Sequence, residues 1–232
     1  MRDSPDAIML FAAGFGTRMR PLTDHRPKPL VEVAGQPLLD HALALVRDAA
    51  IARTAVNAHY LANQIVAHLE GSGIPVSVEA PEILDTGGGL REALPLLGQP
   101  EVVFSLNTDA VWTGSNPLTA LTRAWDPARM DTLMALIPTG RALGHKGEGD
   151  FSMDGGGQLR RGPGFVYSGA QIIATRLLDG MPDGAFSLTH CWANAAKAGR
   201  LYGIAHTGRW CDVGHPGGIT EAEAMLAETA RG

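Results

Sequence analysis

Short apolar runs alternate with stretches of helical periodicity through the first half of the chain. The runs predict strands at residues 8–13, 53–57, 76–78 and 102–106. The stretches between them repeat apolar side chains every three or four residues and predict helices at residues 37–50, 61–69 and 89–97. This alternation is typical of a parallel sheet that is covered by helices.

The second half of the chain has a different pattern. Residues 140–164 follow a predicted strand at 132–137, are rich in glycine, and predict a hairpin or a mobile loop beside the substrate. Further strands are predicted at residues 165–174, 201–206 and 210–213, and helices at 187–198, with a serine cap, and at 219–229. We therefore expect an α/β fold and one domain over residues 1–232.

Composition narrows the range of partners. A formal net charge of −5 at pH 7 provides no broad cationic surface for nucleic acid or for an anionic membrane. The first apolar run is far shorter than a signal peptide or a membrane span requires, so we expect a cytoplasmic protein. An anionic small molecule would instead need a local cluster of cations for binding. The sequence does not predict the oligomeric state.

The segment after the first predicted strand is the most informative. Residues 12–23 read Ala-Ala-Gly-Phe-Gly-Thr-Arg-Met-Arg-Pro-Leu-Thr. Glycines in such a loop let backbone N–H groups approach phosphate oxygens closely. Met19 stands where a Rossmann fingerprint needs its third glycine, and no Gly-Lys-Ser/Thr follows as in a Walker A loop. The structural alternative is a glycine turn after a buried strand.

Lys28 is the second feature of this region. It is one of three lysines in the chain and lies between Pro27 and Pro29. The prolines restrict the local backbone and fix where the long side chain starts, which lowers the entropy lost when the ammonium meets a phosphate. An exposed lysine in a proline-rich loop is the alternative.

Together these motifs resemble the signature of the sugar-1-phosphate nucleotidyltransferases. Gly-x-Gly-Thr-Arg-Met-x-Pro-Leu-Thr is followed closely by Pro-Lys-Pro-Leu, and the likeness continues in segments that begin at Thr86, Asn107, Gly147 and Trp210. The resemblance implies a Rossmann-like three-layer nucleotide-diphospho-sugar transferase fold with a mostly parallel mixed sheet. Among these enzymes, the chain is most similar to the short bacterial N-acetylmuramate 1-phosphate uridylyltransferases of cell-wall recycling.

The resemblance also implies roles for individual residues. Arg18 and Lys28 are expected to be catalytic, and Asp109 and Asp212 to bind Mg²⁺. The expected nucleotide-binding residues are Ala13, Gly14, Gly16, Thr17, Glu79, Thr86, Gly87 and Asn107. The expected sugar-binding residues are Asp150, Ser168 and Gly169, next to Tyr167. The Glu79 carboxylate is a candidate acceptor for the ring N–H of uracil.

The implied reaction transfers a nucleotidyl group from a nucleoside triphosphate, with UTP the expected donor, to a sugar 1-phosphate and releases pyrophosphate. A sugar 1-phosphate has a second pKa of about 6, so it is an anionic nucleophile near pH 7 without a general base. Lys28 would stabilise charge at the α-phosphorus, while Mg²⁺ and Arg18 hold the pyrophosphate. Glucose or mannose 1-phosphate as the acceptor, and a non-catalytic nucleotide-sugar sensor, are the alternatives.

Two departures from the family pattern leave the identity of the sugar undetermined by the sequence. Thr108 stands where many relatives carry glycine. The chain also lacks the Glu-Lys-Pro segment in which the larger hexose enzymes carry a second lysine for the sugar phosphate, and Arg160 and Arg161 are the candidate substitutes. The molybdopterin nucleotidyltransferases also open with a strand and a glycine loop, but they lack the Thr-Arg-Met-Arg-Pro-Leu-Thr continuation.

Overall fold

The computed structural model describes residues 5–229, so residues 1–4 and 230–232 of the expected single domain lie outside the described part. Its strands are β1 (Ala7–Phe11), β2 (Glu32–Val33), β3 (Gln36–Pro37), β4 (Arg53–Ala58), β5 (Val76–Val78), β6 (Val102–Asn107), β7 (Ala110–Trp112), β8 (Thr132–Pro138), β9 (Ala142–Leu143), β10 (Phe151–Met153), β11 (Leu159–Arg161), β12 (Phe165–Ala174), β13 (Leu201–Ala205) and β14 (Trp210–Asp212). Its α-helices are α1 (Leu38–Asp48), α2 (Ala62–His68), α3 (Asp85–Ala93), α4 (Pro117–Ala124), α5 (Leu188–Lys197) and α6 (Pro216–Thr229).

The central sheet changes from parallel to mixed pairing halfway across. β5, β4, β1 and β6 lie side by side and are parallel. β12 then pairs antiparallel with both β6 and β8, and β8 pairs parallel with β13. The hairpin of β10 and β11 joins the start of β12. The predicted α/β fold with a mixed sheet is confirmed, and its parallel part is concentrated in the first half of the chain.

Helices cover both faces of this sheet. Neighbouring side chains of β1 point to opposite faces, and since they are apolar, each face needs a covering layer. Ile8 and Leu10 pack in a core with α1, α2 and α4, whereas Ala7 and Met9 pack with α3 and α5. The three layers expected from the resemblance are therefore present. Helix α6 packs separately, over the small sheet of β7, β14 and β9. Within residues 5–229, none of the helices is both long enough and apolar enough to cross a membrane.

Helix α3 begins four residues earlier than the sequence predicts, and it contains three successive glycines. Glycine weakens a helix by about 1 kcal/mol relative to alanine, which explains the later predicted start. A Cβ atom at Gly87 would lie 2.3 Å from the Phe186 ring, and one at Gly88 would lie 2.5 Å from the Gly184 carbonyl oxygen. The glycines therefore let α3 pack directly against residues 184–186.

Helix α4 is absent from the sequence prediction. Its N-cap is Asn116, whose side chain accepts hydrogen bonds from the backbone N–H groups of Leu118 and Thr119, and Pro117 stands at its first position. In the glycine-rich stretch, the hairpin alternative is realised as β10 and β11. The remaining predicted strands and helices match the structure to within a few residues at their ends.

Candidate active site

The carboxyl ends of β1 and β6 open into a cavity of about 240 Å³. Ligands of open α/β sheets bind at this edge. The cavity is lined by Phe11, Ala12, Ala13, Gly14, Lys28, Pro29, Asn57, Ile83, Asp85, Thr86, Asn107, Thr108 and Asp109. The structure thus brings together six residues that the sequence selected, namely Ala13, Gly14, Lys28, Thr86, Asn107 and Asp109.

The glycine loop turns its backbone towards this cavity. The N–H of Ala12 donates to Asn57 Oδ1 over 2.7 Å, and the N–H of Met19 donates to the Gly16 carbonyl over 2.9 Å. Among the described residues, no acceptor takes the N–H groups of residues 13–16. A Cβ atom at Gly14 would meet no atom within 4 Å. Adjacent free N–H groups beside open space are suited to binding an anion.

Gly16 fixes this loop against the segment that carries Lys28. Its φ of +63° lies in the left-handed region that favours glycine. A Cβ atom there would lie 3.0 Å from both Lys28 Cβ and Thr23 Cγ2, and the Thr23 hydroxyl donates to the Gly16 carbonyl over 2.8 Å. Gly16 and Thr17 lie outside the cavity lining, and the contacts of Gly16 hold the loop beside Lys28.

Asp109 and Asp212 lie next to each other although they are far apart in the chain. β7 and β14 pair antiparallel, so that Asp212 lies opposite Ala110, and the N–H of Val213 donates to the Asp109 carbonyl over 2.8 Å. Lys28 Nζ donates to Asp109 Oδ2 over 3.0 Å and is mostly buried. The structure therefore brings the lysine and both acids of the prediction into one cluster.

The electrostatics of Asp212 reflect this cluster. Burial raises the pKa of Asp212 and the Asp109 carboxylate raises it further, while Lys28, Arg18 and His145 act in the opposite direction. Arg18, in the short 3₁₀ helix Thr17–Met19, is exposed and still acts on Asp212. The expected catalytic arginine thus acts on the same acid, Asp212, as Lys28 does.

The two carboxylates fit a hard divalent cation. A cation beside Asp109 and Asp212 would relieve the repulsion that raises the pKa of Asp212. Mg²⁺ commonly takes one or two carboxylates and keeps several water ligands. Within residues 5–229, no group of three or more His, Cys, Asp or Glu residues is arranged to hold a metal.

Glu79 lies behind the cavity. It is 3% exposed, its Oε1 accepts from Asn57 Nδ2 over 2.6 Å, and its Oε2 accepts from the N–H of Leu84 over 2.7 Å. Both carboxylate oxygens are therefore buried and already hydrogen-bonded, and the base contact expected from the sequence stays a prediction. Glu79 orients Asn57, whose other amide atom accepts from Ala12.

Gly87 also serves the fold rather than the lining of the cavity. Its N–H donates to the Phe186 carbonyl over 2.8 Å, so it is already engaged. The contacts of Gly87 in the structure are with Phe186, and its nucleotide contact stays a prediction. Thr86 does line the cavity, and its hydroxyl oxygen accepts from the N–H of Leu188 over 3.0 Å.

The expected sugar-binding residues divide in a similar way. Ser168 is 2% exposed and donates to the Ala135 carbonyl over 2.6 Å. Gly169 is buried with a φ of +89°, and a Cβ atom there would lie 2.7 Å from Asn107 Cβ. Both residues thus lie inside the sheet, and their sugar contacts stay predictions. Asp150 is partly exposed, and its Oδ2 accepts from the N–H of Tyr167 over 2.8 Å.

Asn57, Asp85 and Thr108 also line the cavity, and none of them was among the site residues selected from the sequence. Asn57 is the polar residue near the carboxyl end of the buried strand β4, and this position was its only signal. Asp85 lines the cavity with a φ of +56°, at the first position of α3. Thr108, the departure from the family glycine, donates to the Phe11 carbonyl over 2.8 Å and so ties β6 to β1.

Comparison with known proteins first defines the class. The sequence profile of a family described as MobA-like NTP transferase domain matches residues 8–216, and the chain belongs to this family. Its fold is similar to that of the inositol-1-phosphate CTP transferase from T. maritima, with a TM-score of 0.77, 13% identity, and coverage of 100% of this chain and 99% of that one. The protein is thus an enzyme of the nucleotidyltransferase class.

Two relatives narrow the class. The N-acetylmuramate alpha-1-phosphate uridylyltransferase of Caulobacter vibrioides is 41% identical over 242 residues, which covers 98% of this chain and 100% of that protein. The enzyme of the same name from Neisseria meningitidis serogroup B is 34% identical over 228 residues, covering 94% and 96% respectively. The predicted membership among the sugar-1-phosphate nucleotidyltransferases is confirmed.

Proposed function

We propose that this enzyme transfers the uridylyl group of UTP to N-acetylmuramate 1-phosphate and releases pyrophosphate, with both substrates bound in one domain. The observation that carries the chemistry is the cluster of Lys28, Asp109 and Asp212 beside a loop with free N–H groups. The identity of the substrates is supported by the two relatives of nearly equal length. Because nucleoside triphosphates are cytoplasmic, the reaction implies a cytoplasmic enzyme.

The triphosphate binds against the glycine loop. The free N–H groups of residues 13–16 donate to phosphate oxygens, and Arg18 adds a positive charge at the same end. When Mg²⁺ is bound by Asp109 and Asp212, it neutralises charge on the triphosphate. Asn57, Asp85 and Thr86 form the opposite wall, where the base and ribose lie.

Bond formation requires little covalent participation from the protein. A phosphate oxygen of the sugar 1-phosphate attacks the α-phosphorus, a new P–O bond forms, and the bond to the bridging oxygen of pyrophosphate breaks. The electron pair leaves with pyrophosphate. Lys28 stabilises the negative charge that develops at the α-phosphate, from a position fixed by its contact with Asp109 and by the two flanking prolines.

A substrate panel tests this proposal. Purified protein is incubated with UTP, dTTP, CTP, GTP or ATP and with N-acetylmuramate, N-acetylglucosamine, glucose or mannose 1-phosphate, with and without Mg²⁺, and pyrophosphate release is measured. We expect the highest kcat/KM for UTP with N-acetylmuramate 1-phosphate, and no turnover once the metal is chelated.

Other outcomes of the panel contradict specific parts of the proposal. A higher kcat/KM with glucose or mannose 1-phosphate would reject the acceptor and keep the reaction class. Nucleotide binding without turnover on any acceptor would support a sensor instead. Full turnover in the presence of chelator would reject the role of Asp109 and Asp212 as metal ligands.

A further inference from the structure

An arginine is held against a pair of aromatic rings in the second half of the molecule. The guanidinium carbon of Arg161 lies 4.6 Å from the centroid of the Phe151 ring and 5.4 Å from that of Trp192. Such stacking uses the flat face of the guanidinium and leaves its N–H edge free to donate to an anion. Arg161 is exposed, so this edge is accessible.

The rings connect Arg161 to the active site. Trp192 contacts the Tyr167 ring at 4.9 Å, and its Nε1 donates to Gln171, which in turn donates to Ser105 on β6. Tyr167 is close enough to Asp109 for that carboxylate to raise its pKa, in addition to the effect of burial. Ring contacts therefore lead from Arg161 through Trp192 to Tyr167, on which Asp109 acts.

Among residues 5–229, no acidic side chain neutralises Arg161. Arg176 and Arg200 both pair with Asp131, and Arg209 pairs with Glu228. In the part of the chain that the structure describes, no carboxylate lies within 4 Å of the side-chain nitrogens of Arg161, and no acceptor takes its N–H groups. A fixed guanidinium with a free edge is suited to a carboxylate, which it can bind through two parallel hydrogen bonds.

We propose that Arg161 selects the acceptor by binding the lactyl carboxylate of N-acetylmuramate. This inference rests on the proposed function. The 1-phosphate must lie at Lys28 for attack on the α-phosphorus, so Arg161, beyond Tyr167 and Trp192, meets a group elsewhere on the sugar. N-acetylmuramate differs from N-acetylglucosamine by a 3-O-lactyl group, and the carboxylate of this group is the anion that an unpaired arginine would recognise.

Arg160 provides a matched control within the same strand. Neighbouring side chains of a strand point to opposite faces. Leu159 is buried in the core on the side of α5 and Arg161 shares its face, whereas Arg160 lies opposite Ser152 on the other face. Of the two arginines that the sequence offered as anion ligands, only Arg161 is positioned by the aromatic rings.

The experiment compares Arg161→Gln, Arg161→Lys and Arg160→Gln with the wild type. Initial rates are measured with UTP and three acceptors: N-acetylmuramate 1-phosphate, its lactyl methyl ester, and N-acetylglucosamine 1-phosphate. We expect Arg161→Gln to raise KM for N-acetylmuramate 1-phosphate by about 10- to 100-fold, as for the loss of a charged hydrogen bond, with little change in kcat. Kinetics with the two acceptors that lack the lactyl carboxylate should stay unchanged.

The other variants and controls complete the design. Arg161→Lys should restore part of the loss, because it keeps the charge without the planar fork, and Arg160→Gln should behave as wild type. Circular dichroism and UTP binding establish that each variant is folded. An equal loss with all three acceptors would overturn the inference, since Arg161 would then act on the shared phosphate or on the fold.

The failure of this inference can be distinguished from failure of the proposed function. If the wild type uses N-acetylmuramate 1-phosphate and Arg161→Gln retains its KM, the selection by Arg161 is wrong and the proposed function stands. If the wild type itself prefers an acceptor without the lactyl carboxylate, the proposed substrate is wrong and the inference falls with it.

Discussion

The proposed site has two halves that use their motif residues differently. The glycine loop, Lys28 and Asp109 line the donor half, and β10–β12 and α5 form the acceptor half. In the donor half, Ala13 and Gly14 line the cavity with free N–H groups, and Lys28 and Asp109 line it with charge. In the acceptor half, Ser168 and Gly169 lie inside the sheet and shape it. A motif residue can therefore contact the ligand in one region and pack against the backbone in another.

The physical requirements of the two halves explain this difference. A triphosphate needs several donors and charges at short, fixed distances, so the motif residues themselves must reach it. A sugar is recognised by side chains whose directions depend on how the strand is bent. β12 changes register between Tyr167 and Gln171, and Gly169 lets the backbone pass close to Asn107 at that point. The acceptor motif thus sets the direction of Tyr167.

The largest effect should come from the donor half. We expect Lys28→Met to lower kcat by about 100- to 1,000-fold with a smaller change in the KM for UTP, because the ammonium acts mainly on the transition state. The measurement is pyrophosphate release. Lys197→Met, at an exposed position at the end of α5, is the control and should keep full activity. A defect confined to KM would remove Lys28 from the chemical step.

The second comparison uses two glycines. Gly87→Ala drives a Cβ atom into the Phe186 ring and should lower the free energy of unfolding by about 1–3 kcal/mol, measured in urea. Gly14→Ala meets no atom within 4 Å, so we expect it to keep its stability while its methyl group enters the cavity and raises KM for UTP. If both variants lose stability equally, the distinction between packing and binding glycines is wrong.

Glu79→Gln should affect stability more than base preference. The amide has one acceptor oxygen, while two donors, Asn57 Nδ2 and the N–H of Leu84, face the carboxylate, so one contact is lost. We expect a loss of about 1–3 kcal/mol in the free energy of unfolding. The ratio of kcat/KM for UTP to that for CTP should not change. A changed ratio at unchanged stability would support the direct base contact predicted from the sequence.

The smallest effect is expected at Ser168. Ser168→Ala removes the hydrogen bond to the Ala135 carbonyl and should cost about 1 kcal/mol of stability. The KM for the sugar phosphate should stay close to that of the wild type, and initial-rate kinetics on the same preparations test both expectations. A large rise in this KM would show that the hydroxyl reaches the acceptor, and the contrast between the two halves would fail.

Local patterns were sufficient to predict the order of strands and helices, since buried strands and amphipathic helices carry clear periodicities. They failed at α3, because three glycines conceal a helix when the partner that requires them, residues 184–186, is distant in sequence. They also missed α4, although Asn116 and Pro117 mark its start. Both cases depend on signals other than hydrophobic periodicity.

The same limit applies to the candidate site. The positions of Lys28, Asp109 and Asp212 in one cluster followed from the resemblance, because the motifs themselves carry these residues. The positioning role of Glu79 did not, since it depends on Asn57 in another strand. Arg161 was one of two equivalent arginines in the sequence, and only the rings of Phe151 and Trp192 separate it from Arg160.

The hydrogen bond from Leu188 to Thr86 couples the two halves mechanically. It joins the first turn of α3, where the proposed nucleotide site lies, to the first turn of α5, the helix that carries Trp192. A nucleotide bound next to Thr86 would therefore stabilise the position of α5, which forms part of the acceptor half. We expect compulsory-order kinetics with UTP adding first, detectable in product-inhibition patterns, and random addition once Thr86→Val removes the acceptor oxygen.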